Sequence, residues 1–220
     1  MRLLRQILSK VGWAAFVIAR RLKSRLLVVK RCFITPKLPK NPNGKVFIHL
    51  GCGDIASPEF INVDARPGPH VHYICDVTDL SIFADGYADL VYACHVLEHV
   101  RHNGLKKTLW EWRRILKPGG ILRLSVPDFD KILHIYESCS REIPSICGPL
   151  MGHQDYEHNA HHSVFNHTYL CDSLREAGFM RIRQWEPDKV EHHDFSDWAD
   201  AYLRVHGQAF PISLNLEAVK

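Results

Sequence analysis

Three short stretches place glycines or carboxylates where an apolar run stops. His49-Leu50-Gly51-Cys52-Gly53-Asp54 follows Val46-Phe47-Ile48, Asp64 follows Phe60-Ile61-Asn62-Val63, and Asp76-Val77 follows Tyr73-Ile74-Cys75. Two glycines one residue apart let the backbone turn sharply and approach a ligand that a Cβ would hold off. A carboxylate at the second strand end can accept two hydrogen bonds from a ribose diol. At the third, an aspartate can accept from an exocyclic adenine amine while the neighbouring valine covers the ring. Together these ends describe an adenosine-shaped site; singly, a Gly-x-Gly is also a tight turn and each aspartate also a capping residue. No Gly-Lys-Ser/Thr follows the glycine turn, and only seven residues separate Gly53 from Ile61. That leaves little room for a helix whose N-terminus would hold a pyrophosphate, so a nucleoside without phosphates fits better.

The elements that must carry these residues alternate between short apolar runs and helix-period segments, the pattern of a mostly parallel α/β sheet covered by helices. Strands are expected at 46–50, 61–63, 73–75, 89–94, 121–126, 180–185 and 212–218. The last alternates Ile212, Leu214, Leu216 and Ala218 against Ser213, Asn215 and Glu217, as in a half-covered strand antiparallel to its neighbour. Leu105, Leu109, Trp112 and Leu116 make a helical stripe stopped by Lys117-Pro118-Gly119-Gly120. A second helix follows a cap at Asp128, and a third follows Thr168 and ends at Gly178. Parallel neighbours normally need a crossover of a dozen residues or more, and eight residues lie between Asp64 and Tyr73. The first two crossover helices are therefore single turns or missing.

The 220 residues and 46% hydrophobic content suit one globular domain with an appendage. Charge locates the appendage: residues 1–45 hold 12 of the 28 Lys and Arg and no acid, leaving 16 basic against 24 acidic residues, a net of −8, in the remainder. An acidic body repels phosphates, which argues against nucleic acid as a partner. Leu4, Ile7, Val11, Ala15, Ile18, Leu22, Leu26 and Val29 recur at three- and four-residue steps, so residues 1–35 read as a basic amphipathic helix. Its apolar run from Val11 to Ala19 is too short to span a bilayer. An anionic membrane surface suits it, although a mitochondrial transit peptide or a helix packing on its own body shares the signature. Basic residues stand where a signal cleavage site would, and seven cysteines lack CxxC pairs, so a cytoplasmic setting is expected, peripheral on the inner face of the membrane. Residues 36–44, with three prolines, two asparagines and a glycine, form a linker; the domain occupies 45–220.

Further along, Val96-Leu97-Glu98-His99-Val100, Leu116-Lys117-Pro118-Gly119-Gly120 and Ser125-Val126-Pro127-Asp128 follow the three strand ends in order. With them the chain resembles a class I S-adenosylmethionine-dependent methyltransferase over about residues 45–220. More narrowly, Gly178-Phe179 and the ending Ile212-Ser213-Leu214-Asn215-Leu216 resemble predicted methyltransferases associated with bacterial surface-polysaccharide synthesis. The resemblance implies a Rossmann-like sheet with S-adenosyl-L-methionine as cofactor. It places Gly51, Cys52 and Gly53 against the methionine part, Asp64 on the ribose, Asp76 and Val77 on adenine, and Cys94 and His95 at the methyl-donating end. The sequence departs from the pattern at His49, where many members carry an acid, and at Ile55, where a third glycine is frequent.

Methyl transfer from a sulfonium needs water excluded and the acceptor aligned; removing a proton helps if the acceptor is a hydroxyl. Of fifteen histidines, His95 after the fourth strand and one of His161 or His162, in a segment able to fold over the site, are the candidates for proton handling, with His162 preferred. Asp128 also begins at a strand end. His95 alternatively shapes the cofactor loop without proton transfer, His99 reads as structural, and Glu98 as a capping or orienting residue. No metal is expected, since the histidine-rich stretch lacks a helical i, i+4 pair with a third ligand in a recognised spacing. The expected reaction is O-methylation of a saccharide or lipid-linked glycan. A small-metabolite methyltransferase and an inactive membrane-associated adaptor are the alternatives.

Overall fold

The computed structural model describes residues 36–156 and 158–220; the basic helix expected at 1–35 lies outside them. Seven strands form one sheet: β1 (Phe47–Leu50), β2 (Phe60–Asp64), β3 (Tyr73–Ile74), β4 (Ala88–Cys94), β5 (Leu116–Pro127), β6 (Met180–Gln184) and β9 (Ser213–Val219). Their order is β3-β2-β1-β4-β5-β9-β6. β1 to β5 pair in parallel, while β9 runs antiparallel to both β5 and β6. This is the mostly parallel α/β sheet with an antiparallel C-terminal strand. No helix connects β1 to β2 or β2 to β3, so both short crossovers are loops.

Alternate side chains of the central strands feed two different layers. On one face Ile48, Leu50, Val63, Val91, Leu122 and Leu124 pack with Leu109 and Trp112 of α1 (Leu105–Ile115) and Leu170 and Leu174 of α4 (His167–Glu176). On the other, Phe47, Phe60, Leu90 and Tyr92 meet Trp185 and Ala199, with Phe195 packed alongside. The segment 185–200, which has no α-helix, thus covers the face that helical crossovers would otherwise take. A third, separate core joins Ile132 and Ile135 of α2 (Phe129–Ser138), Ile146 of α3 (Ile143–Met151), Val205 and Ile212. Val205 ends β7 (Tyr202–Val205), which forms a two-stranded hairpin with β8 (Gln208–Pro211).

Local signals act as expected at most ends. Asp128 caps α2 by accepting from Asp130 N at 3.1 Å. α4 starts slightly earlier than its pattern suggests, with Asn166 accepting from Tyr169 N at 3.0 Å, and it closes before Gly178 at φ +88°. α1 ends at Ile115, and Lys117–Gly120 bulge out between the Ala88–Leu116 and Leu90–Ile121 pairs. β9 differs from the half-covered strand expected. Ser213 and Glu217 are buried as well, because Glu217 accepts from Arg123 Nε at 2.7 Å and Arg183 Nη2 at 2.8 Å, and polar residues so paired can line a covered face. Among the described residues no helix is long and apolar enough to cross a membrane.

Candidate active site

The C-terminal ends of β1, β2, β3 and β4 open onto one crevice, where a parallel sheet places its ligand. Gly51 turns the chain out of β1 at φ +61° and Gly53 continues at φ +56°. A Cβ on Gly51 would come within 2.4 Å of Val96 Cγ2, so close approach to the loop after β4 requires glycine there. Between them Cys52 donates its N–H to Val63 O at 3.1 Å. Its thiol is buried, and burial pushes its pKa up to about 12, which makes it a packing residue rather than a nucleophile.

Asp64 ends β2 with its carboxylate already oriented. Oδ2 accepts from Gly53 N at 2.8 Å and Oδ1 from Arg66 N at 2.7 Å. Arg66 Nε adds a longer contact to Oδ1 at 3.4 Å, and since a carboxylate has about four acceptor positions, Oδ2 keeps room for a ribose hydroxyl. Asp76 accepts from Thr78 N at 2.8 Å, and Val77 O takes the indole N–H of Trp112 at 2.9 Å, which fastens that strand end to α1. Gly51, Asp64, Asp76, Val77, His95 and His162 all border one lobe of about 510 Å³. Cys52, Gly53, Cys94 and His95 border an adjoining lobe of about 660 Å³ that shares Gly51, Arg66, His95, His99 and Tyr156 with the first. The eight residues expected at the cofactor therefore surround one two-lobed crevice. Asp128 does not line it and instead caps α2.

The arrangement suits an unphosphorylated nucleoside. With no helix after Gly53, there is no helix N-terminus to receive a phosphate, while the oriented Asp64 and exposed Asp76 supply acceptors for ribose and adenine donors. The first lobe lies within the usual size range for small-molecule sites.

The second lobe has a deep floor and an aromatic rim. His95, directly after β4, sits at φ +52°, a strained conformation for a non-glycine residue. Burial drops its pKa to about 3, so the ring is neutral and a weak base. Its Nδ1 lies 3.3 Å from Glu98 Oε1, within ion-pair range but without hydrogen-bond geometry, so both Glu98 oxygens are left without a partner. Glu98 is only 1% exposed, and burial raises its pKa to about 8. His99, lowered by burial, has Nδ1 3.0 Å from Ala160 O; His161, lowered by burial to about 4, has Nδ1 3.1 Å from Pro149 O. Glu98, His99 and His161 each offer a ligand atom within 4.8 Å of the other two. No helical histidine pair is involved; the turn after β4 and the segment after α3 supply the three groups.

That segment lies across the crevice as expected of a covering loop, held by His162 N and Ser163 N donating to Glu98 O at 2.8 and 3.1 Å. On the rim stand Trp198, 54% exposed, and Tyr202, 62% exposed. Behind them Tyr92 OH donates to Asp197, which also lies 3.5 Å from His193 Nε2. Burial would raise Asp197, but hydrogen bonds from His193 and Tyr92 hold it below the ordinary carboxylate range. His49, where an acid is common, is buried and lowered to about 3 by desolvation. Glu98, Tyr92, Asp197 and Tyr202 were not singled out as site residues by sequence patterns.

Residues 50–124 match a family model described as a methyltransferase domain. A search of curated proteins finds no match. Among solved structures, one from Archaeoglobus fulgidus described as a SAM dependent methyltransferase is 15% identical, covering 91% of this chain and 94% of its own, with a TM-score of 0.50. A second, the 1,6-didemethyltoxoflavin-N1-methyltransferase of Burkholderia thailandensis with bound 1,6-didemethyltoxoflavin and S-adenosylhomocysteine, is 16% identical over 91% of this chain and 77% of its own, with a TM-score of 0.52. A third, from Methanosarcina mazei and described among SAM-dependent methyltransferases, is 16% identical over 82% of this chain and 94% of its own, with a TM-score of 0.51.

Proposed function

Taking as premise an S-adenosylmethionine-dependent methyltransferase of class I fold, we propose that this chain methylates a hydroxyl of a saccharide, carried on a lipid at a membrane surface. When bound, the cofactor supplies a methyl group already activated for in-line displacement. Gly51 and Gly53 bring backbone against its methionine part, Asp64 accepts from the ribose hydroxyls, and Asp76 with Val77 receives adenine. Cys94 and His95 border the methyl-donating end. His162, on the covering segment, takes the proton of the acceptor hydroxyl. His95, neutral and weakly basic, shapes the site instead.

The observation that favours a saccharide is the rim of the second lobe. Trp198 and Tyr202 are exposed aromatic residues lining a lobe that Asp54, Asn159 and Ser145 also border. Flat aromatic faces interleaved with polar groups suit the C–H faces and hydroxyls of a sugar better than an apolar metabolite, which would favour an enclosed apolar pocket. The membrane part of the reading draws on the basic, acid-free residues 1–45.

Turnover of methyl-labelled cofactor against a cell-envelope glycan or lipid extract tests this. Label in a glycan, reduced at least tenfold by Trp198→Ala, is the expected result. Label confined to small metabolites would replace the saccharide reading, and absence of any cofactor binding would leave only an adaptor.

A further inference from the structure

Glu98 poses a problem that the methyl-transfer scheme leaves open. Its carboxyl group is buried at the floor of the second lobe, and no other residue donates a hydrogen bond to either oxygen. An isolated carboxylate in such a place is strongly unfavourable. The surrounding imidazoles do not relieve it, as their tautomers show. Ser213 Oγ donates its single proton to Trp198 O at 2.6 Å, so it must accept from His95 Nε2 at 2.8 Å. His95 therefore carries its proton on Nε2 and turns a lone pair on Nδ1 toward Glu98 Oε1, 3.3 Å away.

The same logic holds for two further rings. His99 Nδ1 stands 3.0 Å from Ala160 O and His161 Nδ1 3.1 Å from Pro149 O, and because a carbonyl only accepts, each ring donates from Nδ1. Each keeps its lone pair on Nε2, and that of His161 lies 4.0 Å from Glu98 Oε1. A proton on Glu98 would serve His95 alone and leave the His161 lone pair facing the same oxygen. A cation held by Glu98, His99 and His161 would offset the carboxylate charge and take the Nε2 lone pairs of both His99 and His161.

We propose that Glu98, His99 and His161 hold a divalent transition-metal ion of the zinc or cobalt type. Two imidazoles and one carboxylate are the donor set such ions take in open catalytic sites. Backbone carbonyls that fix Nδ1–H are the outer-shell partners that orient histidine ligands. Around a tetrahedral ion the donor atoms would stand roughly 3.3 Å apart, so these side chains draw together from within 4.8 Å. Because all three residues line the second lobe, the remaining coordination position opens toward the acceptor. On the hydroxyl-acceptor reading above, on which this role rests, the acceptor oxygen occupies that position, and as its bond to the methyl carbon forms its proton passes through solvent to His162, which borders the adjoining first lobe. The carbon–sulfur bond breaks with its electron pair retained by sulfur.

The test uses the full, tag-free chain, stripped with chelator and titrated with Co²⁺ alone. About one equivalent is expected to bind with the intense visible bands of a four- or five-coordinate site. Glu98→Gln should weaken binding by more than about 100-fold, and so should His161→Gln, with cooperative thermal unfolding retained as the check on folding. Absence of the bands in the wild-type chain overturns the proposal, as does binding unchanged in Glu98→Gln. Glycan labelling by the stripped enzyme at full rate would sink the metal and keep the acceptor reading, whereas Co²⁺ binding without glycan labelling would do the reverse.

Discussion

Asp64 shows how one side chain serves both fold and ligand. It binds the Gly53 and Arg66 amides and keeps lone pairs for a ribose. Asp64→Ala should weaken S-adenosylhomocysteine binding by about 1–3 kcal/mol, the cost of stranding polar partners, read by calorimetry. His49 has a different consequence. Its ring lies among Phe60, Tyr92 and Phe195 with Nδ1 unpartnered, and burial holds its pKa at about 3. As pH falls below about 6.5 the unfolded chain takes up this proton first. Stability present above that pH is therefore lost toward pH 3, by about 1.4 kcal/mol per pH unit for this one group. Urea unfolding from about pH 7 to 5 should show a flatter slope in His49→Leu. Gly51, Gly53, Asp64 and Asp76 were legible beforehand because each ends an apolar run, and strand ends gather on one edge. The meeting of Glu98 with His161 was not, since no periodicity joins positions so far apart in the chain.

At the scale of elements, spacing foretold the absent helices between β1, β2 and β3, because chain length alone decides whether a helical crossover fits. It did not foretell what replaces them. His193 and Phe195 pack against β1, β2 and β4 from a segment without strand or helix periodicity, so pattern reading had nothing to detect there. Polar residues in β9 misled for a related reason: alternation reports polarity, and a paired charge can be polar and buried together. Glu217 and Arg123 form such a pair. Arg123→Ala should lower stability by about 3 kcal/mol, near the lower end for a broken buried pair because Arg183 still reaches Glu217. Arg183→Ala, removing a largely exposed partner, should cost about 0–1 kcal/mol. Denaturant midpoints of the two variants check the contrast.

Across the whole molecule the charge asymmetry sets the expected behaviour at surfaces. If the basic start carries the protein to anionic lipid, liposome binding should fall steeply as salt rises and vanish on deleting residues 1–35, with cofactor affinity unchanged. Binding that survives the deletion, or ignores salt, would assign attachment to the acidic body. Within that body the three hydrophobic clusters divide the labour unevenly. The cofactor end rests on the main sheet, whereas Tyr202 belongs to the hairpin whose Val205 packs with Ile132, Ile135 and Ile146 in the small third cluster. On the proposed function, grip on the donor stands on the main sheet, while choice of recipient is shared between Trp198, tied to Ser213 of β9, and Tyr202 on the hairpin. Replacing residues 202–211 would retool the chain for another recipient while leaving the nucleoside cradle untouched, the kind of interchangeable jaw by which one scaffold comes to serve many chemistries.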